Sequence, residues 1–551
     1  MIEIELKFQI PQPRRDAVLR AVATKTAQQT ALRALYFDTP DQQLAQAGLV
    51  LRLRRENRRW VQTLKGRGDH LFARFEHEVS IPSARTAQVP PIDVARHAGT
   101  PAGEQLMKIV SAADAGLQVE FETDVRRTHR LIRVGKSTIE LCFDEGQLRA
   151  GNASAPICEL ELELINGDVS DLLQLATRWV ERFGLWIDVR SKAERGFLLA
   201  RGETAAPAVL SMPPRLSADM QPDAALRMMV ADCLADLLPS AAAVSAGSTQ
   251  AAHLHRLRVA LRRLRTALRV FEAWSPGVDP AWHQSLADLF RGLNAARDRD
   301  VMIDTLLPAL QAAGGPIWST HEVTPNAAAD AGPMDVMRSL PSNLLLLALI
   351  QFAQRPTTDQ TDKADQADQA ALGVPDDADL TAIAKPLIKQ MYRQLRKDAG
   401  QFLTLDDVSH HRTRRRLKRL RYAIEFLAPL FDAKKVKRYL ARARPAQDAL
   451  GELNDLVVAE QFFRNTVNTV KTVNALDSVH TGRAVGAVGT VSEVNAIAAA
   501  KAVGALGADS HAWFALGWIS ARRNELLAVA AHSLQELTAK PPPRMRSPTD
   551  T

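Results

Sequence analysis

The chain has 551 residues and a formal net charge of +8, with 70 Lys and Arg against 62 Asp and Glu. This length leaves room for about two or three domains with separate cores. The basic balance favours polyanionic partners such as phosphates, nucleic acid or anionic membrane surfaces. Its 3 cysteines exclude a disulfide framework. The longest apolar run, Leu344 to Ile350 extended by Phe352, is too short to span a bilayer.

The first predicted element is a strand at the N-terminus. Glu3, Glu5 and Lys7 alternate with the apolar residues between Ile2 and Phe8. Alternate side chains of a strand share one face, so this strand has a charged face and an apolar face. One isolated strand of this kind is typical of a solvated sheet edge. A functional role for this charged face is indicated only if the same pattern recurs on other strands.

Several later segments within the first 200 residues repeat this alternation. The charged positions are Arg52, Arg54, Lys65, Arg74, Glu76, Glu78, Arg127, His129, Glu140, Asp144, Glu159, Glu161 and Glu163. Charged faces of both signs on successive strands are costly to bury in a dry core. They are compatible with a sheet that closes around a wet lumen and turns its apolar face outward, under helices.

The charges predict what such a lumen would bind. Arg and Lys match phosphate oxygens, and clustered carboxylates suit a hard cation such as Mg²⁺ or Mn²⁺. Together they predict a metal-bound polyanion, most simply a triphosphate. No glycine-rich P-loop pattern appears, so phosphate binding would rest on side chains. No Ser-His-Asp or Cys-His set is evident, and Cys142 and Cys158 are predicted to be buried structural thiols.

A series of motifs runs through residues 1 to 200 in a fixed order. Glu3 to Lys7 reads ExExK, and after it come Tyr36 to Pro40, Leu51 to Arg54, Thr63 to Gly66, Asp144 to Gly146, Glu159 to Glu163 and Ser191 to Gly196. In this order they resemble the CYTH superfamily, the triphosphate tunnel metalloenzymes. The resemblance implies an eight-stranded antiparallel β tunnel with flanking helices, acting on a triphosphate.

The same resemblance implies roles for individual residues. The phosphate-binding and catalytic side chains would be Lys7, Arg52, Arg54, Lys65, Arg127 and Lys192. The metal ligands would be Glu3, Glu5, Asp144, Glu161 and Glu163. Glu159 and Glu76 are further acidic residues of the lumen. We assign Glu159 to the metal ligands and Glu76 to the catalytic residues. Arg126 and Arg127 are adjacent, and the alternation with Val125 favours Arg127.

The second half of the chain is predicted to be helical and internally duplicated. After a linker, the segment His255 to Arg265 matches His411 to Arg421, with a His followed by basic residues three, seven, eight and ten positions later. A second pair of matching segments follows, Leu293 to Asp298 and Leu450 to Asp455. Such a repeat predicts two like helical bundles that pack face to face.

Each copy is predicted to present a basic stripe beside an apolar stripe. At about 100° per residue, one face of each helix carries His255, Arg258, Arg262 and Arg265, or His411, Arg414, Lys418 and Arg421. The alternative is an ordinary solvent-exposed face, whose basic residues are balanced by acidic residues one helical turn away. Because almost no acid precedes Glu272 and Glu425, we favour a polyanion-binding face.

These stripes, with Arg297-Asp298 and Asn454-Asp455, resemble the CHAD domain, a conserved-histidine α-helical domain. The resemblance implies two pseudo-symmetric bundles enclosing a basic channel that binds inorganic polyphosphate. We therefore predict an α+β multidomain protein with a CYTH tunnel at 1–201, a linker at 202–221 and a CHAD domain at 222–535. Inserts are predicted at about 356–379 and 468–507, and a loose tail at 536–551.

The leading functional prediction is metal-dependent hydrolysis of inorganic triphosphate to diphosphate and phosphate, with the helical domain binding polyphosphate. The alternatives are a non-catalytic polyphosphate-binding module, a nucleoside or thiamine triphosphatase, and an adenylate cyclase. Trp60 and Phe72, the candidates at the tunnel mouth, form no pattern for base recognition. No sequence-specific nucleic acid and no membrane span are expected. A strand pattern from residue 2 predicts that there is no secretory leader. We expect a cytoplasmic protein, including at polyphosphate granules.

Overall fold

The computed structural model describes residues 2–67, 73–81, 89–113, 116–203, 216–293, 302–318, 332–355, 380–481 and 492–545. For 2–3, 67, 73–74, 469–481 and 492–509 only the backbone is described. The predicted insert 356–379 lies outside these ranges. In the predicted insert 468–507, residues 468–481 and 492–507 are helical.

A closed antiparallel sheet forms the N-terminal region. Its strands are β1 (Ile2–Gln9), β2 (Gln28–Asp38), β3 (Val50–Glu56), β4 (Arg59–Arg67), β5 (Ala73–Ile81), β6 (Gln118–Val134), β7 (Ser137–Ala150), β8 (Ala153–Asn166) and β9 (Trp186–Ile187). The order is β5-β4-β3-β2-β6-β7-β8-β1, and β1 also pairs with β5. The first eight strands therefore close into a tunnel, as predicted, and the short β9 adds to β1.

The apolar face of the tunnel points outward, under helices. The helices of the N-terminal region are α1 (Arg15–Val22), α2 (Gln43–Gln46), α3 (Pro101–Ala112), α4 (Val169–Phe183) and α5 (Lys192–Ala200). Leu51 and Leu64, which alternate with Arg52 and Lys65, pack with Leu106 of α3 in one buried cluster. The alternation thus places apolar side chains under helices and charged side chains in the lumen.

One end of the lumen is closed by α5. Tyr36, Phe121 and Val125 form an apolar cluster with Phe197 of α5, and the rings of Tyr36 and Phe121 stack at 4.3 Å between centroids. Val125 lies on the same strand face as Arg127. A Cβ at Gly196 would lie 2.1 Å from the ring of Phe121, so only glycine lets α5 approach this closely.

Beyond residue 201, the described part of the chain is mainly helical. The helices are α6 (Pro222–Ser245), α7 (Ala251–Val270), α8 (Ala281–Gly292), α9 (Leu307–Ala312), α10 (Pro333–Arg338), α11 (Leu340–Gln354), α12 (Leu380–Gly400), α13 (Asp407–Phe426), α14 (Ala433–Thr481) and α15 (Ser492–Thr538). Among the described helices, α6 is the one long and apolar enough to cross a membrane, with mean hydropathy 1.4, but 67% of that apolar window is buried inside the protein. Such burial is typical of a core helix.

The chain divides into two compact units. The first comprises 1–212, 226–293 and 331–368, and the second comprises 213–225, 294–330 and 369–551. The first unit therefore combines the tunnel with the first helical repeat, and in it α11 packs on α4. In the second unit α14 packs along α15, and Tyr392 Oη donates to the carbonyl of Thr538 at 2.7 Å. The division at 201 and 222 drawn from sequence stays a prediction.

Candidate active site in the charged tunnel

Three buried carboxylates meet on two neighbouring strands. Asp144 of β7 pairs in register with Glu159 of β8, and Glu161 lies two residues further along β8. One carboxylate oxygen from each of the three lies within 4.8 Å of the others. All three side chains are almost fully buried. A buried group of oxygen donors is the ligand type that Mg²⁺ and Mn²⁺ prefer.

The ammonium of Lys192 lies among these carboxylates. Its Nζ is 2.6 Å from Asp144 Oδ2, 2.5 Å from Glu159 Oε1 and 2.9 Å from Glu161 Oε1. Lys192 is the first residue of α5, and Ser191 caps this helix by accepting from the backbone N–H of Glu194 at 3.1 Å. The helix that closes the lumen therefore also carries a cation into it.

Cations from β1 and β6, and a second one from α5, complete this network. Arg127 of β6 donates to Asp144 through Nε and Nη2, both at 2.7 Å, and also contacts Glu161. Lys7 Nζ is 2.6 Å from Glu5 and 2.5 Å from Glu161. Arg195 of α5 pairs with Glu159. Each carboxylate at this end of the tunnel thus has a cation at contact distance.

The ion pairs keep the network charged despite its burial. Burial alone would favour neutral side chains, but the charges of Lys192, Lys7 and then Arg127 hold the pKa of Glu161 well below its usual value. Burial is also outweighed at Asp144, where Arg127 and Lys192 lower the pKa. The carboxylates in turn raise the pKa of Lys192 and of Lys7 against the opposing effect of burial. At neutral pH all four groups are ionised.

A second group of charges lines β3, β4 and β5. Arg52 Nη2 is 3.4 Å from Glu76 Oε1, and Lys65 Nζ is 3.0 Å from Glu76 Oε2. Arg54 Nη2 is 3.2 Å from Glu78 Oε1. Burial, and then the positive charge of Arg52, lowers the pKa of Arg54. Arg52, Arg54 and Lys65 give this wall its positive charge, and the contacts of Arg52 and Lys65 to Glu76, at 3.4 and 3.0 Å, are longer than those of Lys192 to its three carboxylates.

The structure therefore divides the predicted tunnel residues between two walls. One contains Glu5, Lys7, Arg127, Asp144, Glu159, Glu161 and Lys192, and the other contains Arg52, Arg54, Lys65 and Glu76. Glu163 is partly buried and pairs in register with Glu5. Glu3 lies on β1, but its side chain is outside the described set. Arg127 faces the carboxylates, whereas Arg126 is exposed.

Two predictions from sequence were wrong. Cys158 is only partly buried, although Cys142 is fully buried; burial raises the pKa of the Cys158 thiol to about 11. Trp60 does not lie at a tunnel mouth, because it packs with Leu53 and Ile81 in an outward-facing apolar cluster. On β4 its side chain lies on the apolar face, opposite the face that carries Lys65. Phe72 lies outside the described residues.

His129 and Glu140, both among the charged positions of the strand pattern, meet further along the lumen, with His129 Nδ1 2.8 Å from Glu140 Oε1. Sequence reasoning missed two other polar residues of the tunnel. Arg195 was quoted in the motif after Ser191 but received no role, although it lies one helical turn from Lys192 on the same face of α5. Gln9 continues the alternation of β1 and donates to Glu159 at 3.4 Å. That alternation was the signal that could have identified Gln9.

The basic stripe of the first helical repeat is partly buried. Arg258 of α7 is 8% exposed, donates to the carbonyl of Leu293 at 2.9 Å and lies over the ring of Phe290. Arg265 lies over the same ring, and its pKa is lowered by burial and then by Arg269. Arg262 is half-buried and His255 is exposed. Arg297 and Asp298 lie outside the described residues.

The basic stripe of the second repeat lies on α13. His411 Nδ1 is 3.0 Å from Asn454 Oδ1, so the two motifs that sequence reasoning paired do meet in space. Burial lowers the pKa of His411. Arg421 pairs with Glu425 at 3.3 Å, which balances one charge of the stripe. Arg414 and Lys418 are half-buried.

Comparison with known proteins identifies both parts of the chain. Residues 1–197 match the CYTH domain family, and residues 228–464 match the CHAD domain family. The chain is a CYTH–CHAD domain protein. Both resemblances drawn from the motifs are thus confirmed, as is the fold class. The CYTH domain supplies the tunnel, and the CHAD domain supplies both basic stripes.

Individual relatives cover parts of the chain. The CYTH region is similar to an inorganic triphosphatase from Haemophilus influenzae, with 34% identity over 167 residues, which are 30% of this chain and 44% of that protein. A CHAD domain structure from Ricinus communis shares 22% identity, covers 62% of this chain and 100% of its own, and has a TM-score of 0.42. A Hippeastrum protein with a stated dominant triphosphatase activity shares 20% identity, covers 36% and 96% of the two chains, and has a TM-score of 0.26.

Proposed function

We propose that the CYTH domain hydrolyses inorganic triphosphate to diphosphate and phosphate with Mg²⁺ or Mn²⁺. The observation that carries the proposal is the closed lumen, in which a buried carboxylate group and a wall of Arg and Lys face the same space. A site that only bound polyphosphate would need the cations alone. The similarity to an inorganic triphosphatase supports the same reading.

The donor set fits a hard divalent cation. Asp144, Glu159 and Glu161 would hold it, with Glu5, Glu163 and Glu3 as further ligands by sequence. When bound, such an ion neutralises phosphoryl oxygens and lowers the pKa of a coordinated water. The ammonium of Lys192 lies against the same three carboxylates, so Lys192 and a metal ion compete for these oxygens.

The cationic side chains would bind and orient the substrate. Arg52, Arg54 and Lys65 hold their charges on one wall, where phosphate oxygens can replace the longer contacts to Glu76 and Glu78. Lys7, Arg127 and Lys192 would contact the phosphates from the other wall. Because carboxylates already hold these cations in the lumen, an incoming phosphate would replace one set of negatively charged partners with another. No nucleophilic side chain is required, since water attacks the terminal phosphorus.

The proposed role of the CHAD domain is binding of inorganic polyphosphate through His255, Arg258, Arg262, Arg265, His411, Arg414, Lys418 and Arg421. The support is the recurrence of the same basic stripe on α7 and α13. Half-buried Arg and Lys side chains beside apolar helix faces can bind a polyanion of repeating units. Such binding releases the counterions of the polyanion. A cytoplasmic location stays a prediction.

Phosphate release by the purified protein tests the enzymatic proposal. The substrates are inorganic triphosphate, ATP, thiamine triphosphate and long-chain polyphosphate, each with Mg²⁺ or Mn²⁺. We expect selective release from inorganic triphosphate and a loss of roughly a hundredfold in Glu5→Gln. Glu181→Gln, an exposed acid on α4, is the control and should keep full activity.

The other outcomes identify the alternatives. Faster release from ATP or thiamine triphosphate would make the protein a nucleoside or thiamine triphosphatase, and cyclic AMP formation would make it a cyclase. No release from any substrate, with tight polyphosphate binding, would make it a binding protein on an enzyme's fold. Full activity of Glu5→Gln at saturating metal would remove Glu5 from the site.

A further inference from the structure

The segment that delivers Lys192 to the tunnel is short and is held from two sides. It runs from β9 through Asp188 and Arg190 to the first turn of α5. On one side, Ile187 pairs with Phe8 of β1, and the N–H of Asp188 donates to the carbonyl of Lys7 at 3.0 Å. β9 has only two residues, so few backbone hydrogen bonds hold it to the tunnel.

On its other side, β9 is held by the helical repeat of the same compact unit. The N–H of Ile187 donates to Asn343 Oδ1 of α11 at 2.9 Å. Asn343 is 1% exposed, and its Nδ2 donates to the carbonyls of Met337 at 3.0 Å and Ser339 at 2.9 Å. Both ends of this amide are therefore engaged, which fixes its orientation where α10 meets α11.

A further contact joins the same segment to the helical repeat. The guanidinium of Arg338 lies over the ring of Trp186 at 4.6 Å and donates through Nε to the carbonyl of Ser245 at 2.7 Å. Within the segment, Arg190 donates to Asp188 through Nε at 2.9 Å and through Nη2 at 2.7 Å. The Arg338 contact does not involve Asn343.

The contact between Asn343 and β9 affects the tunnel site because only a few residues separate β9 from Lys192. Ile187 and Lys192 are five positions apart, and the buried Asp188–Arg190 pair stiffens the chain between them. The contacts of Lys192 to three carboxylates all lie between 2.5 and 2.9 Å. Because ion-pair and hydrogen-bond geometry is steep at such distances, a shift of β9 by about an ångström would break them.

We propose that Asn343 of the CHAD domain is a positioning residue for the CYTH site, which acts by fixing β9 and, through it, Lys192 and Arg195 of α5. The helical half then has a role in the tunnel reaction besides any binding of polyphosphate. The inference rests on the proposed function for its kinetic consequence, but the structural coupling of Asn343 to α5 can be measured without substrate.

The kinetic test is a double-mutant cycle in the full-length protein. Asn343→Leu keeps the side-chain size but removes all three hydrogen bonds, and we expect kcat/KM for inorganic triphosphate to fall about tenfold. In a Lys192→Ala background the same change should cost less than about twofold, because the group that Asn343 positions is already absent. A merely structural role would give equal losses in both backgrounds, and that result would overturn the proposal.

Ser342→Ala is the matched control. Ser342 is buried on the same turn of α11 and donates to the carbonyl of Val336 at 2.7 Å, within the helical repeat. We expect it to lower stability without changing kcat/KM per folded molecule. A tenfold loss in Ser342→Ala as well would assign the effect to the α10–α11 junction in general and reject a specific role for Asn343.

Amide hydrogen exchange separates this proposal from the enzymatic one. Asn343→Leu should raise exchange at least about tenfold in peptides covering 186–199, and Ser342→Ala should not. If Asn343→Leu does not fold, Arg338→Met loosens the same segment through the Trp186 contact, with the exposed Arg291→Met as its control. Unchanged exchange at 186–199 would refute the positioning role, whereas a wild-type protein without triphosphatase activity would refute only the proposed function.

Discussion

The Arg and Lys side chains of the tunnel and the arginines of the first CHAD stripe lie in different surroundings. In the tunnel, Lys7, Arg127 and Lys192 each lie within hydrogen-bond distance of two or more carboxylates. On α7, the contacts of Arg258 include a backbone carbonyl and an aromatic ring, and those of Arg265 include the same ring. The two regions thus hold similar cations under different electrostatic conditions.

This difference has consequences for what each region can bind. We call Glu5, Asp144, Glu159 and Glu161, with Lys7, Arg127, Lys192 and Arg195, the tunnel floor. Its charges are paired with one another, so under the proposed function a ligand and its metal ion would exchange partners with the existing pairs. If the CHAD stripes bind a flexible polyanion, as proposed, the affinity should depend strongly on salt. Specificity is therefore expected in the tunnel and breadth in the helical half.

The largest expected effect comes from removing one carboxylate of the tunnel floor. Asp144→Asn should lower the free energy of unfolding by about 3 kcal/mol, because it leaves Arg127 and Lys192 buried with a surplus positive charge. Chemical denaturation of the variant measures this loss. Asp124→Asn on the neighbouring strand is the control; Asp124 is exposed and 4.0 Å from Arg149, so its loss should stay within about 0.5 kcal/mol.

An equal loss in the two variants would show that the tunnel pairs are no more coupled than surface pairs. It would then be wrong to treat the floor as a self-neutralised network, and the comparison with the stripes would lose its basis.

The next effect concerns the stripes. Replacing Arg258, Arg262, Arg414 and Lys418 together by Ala should weaken binding of long-chain polyphosphate by roughly 10 to 100-fold and flatten its salt dependence. Hydrolysis of inorganic triphosphate should not change. Titration calorimetry at several salt concentrations, together with phosphate release, checks both statements. Unaltered affinity and salt slope would mean that the stripes are ordinary solvated faces.

The smallest expected effect is a pH dependence that arises outside the lumen. Burial, and then the positive charge of His77, lowers the pKa of His97 to about 4, and the two Nδ1 atoms lie 2.9 Å apart. The unfolded chain binds this proton near pH 6.5 and the folded protein near pH 4, so stability is full above pH 6.5 and falls as the pH decreases. Between pH 7.5 and pH 5 the loss attributable to His97 is about 2 kcal/mol.

Replacing His97 by Gln should remove that part of the pH dependence. The difference in unfolding free energy between wild type and His97→Gln, measured at the two pH values, isolates it from the tunnel carboxylates, which titrate in both proteins. A difference that does not change with pH would contradict a neutral, buried imidazole at this position.

Much of the fold could be read from the chain because its signals are local. The period of two in β1, β3, β7 and β8 fixes which side chains share a face, and the structure keeps every one of these faces. Cys158 and Trp60 show where local reading fails. Both lie on the apolar faces of their strands, but the packing around each one, partial burial for Cys158 and a buried cluster with Leu53 and Ile81 for Trp60, depends on tertiary structure.

The residues that form the site were easier to predict from the sequence than the contacts between them. The alternation placed Lys7, Asp144 and Glu161 in the lumen, but nothing local shows that Lys192 reaches three carboxylates at once. That contact depends on how α5 enters the end of the tunnel, which in turn needs Gly196 against Phe121. Arg195 was missed for the same reason.

The sequence therefore specified the faces of the strands and the two basic stripes, because periodicity and side-chain chemistry act over a few residues. Closure of β1 onto β5, the depth of Arg258 and the link from Asn343 to β9 were settled only by tertiary packing. These features join residues that are distant in the chain, and their geometry depends on how whole elements fit together.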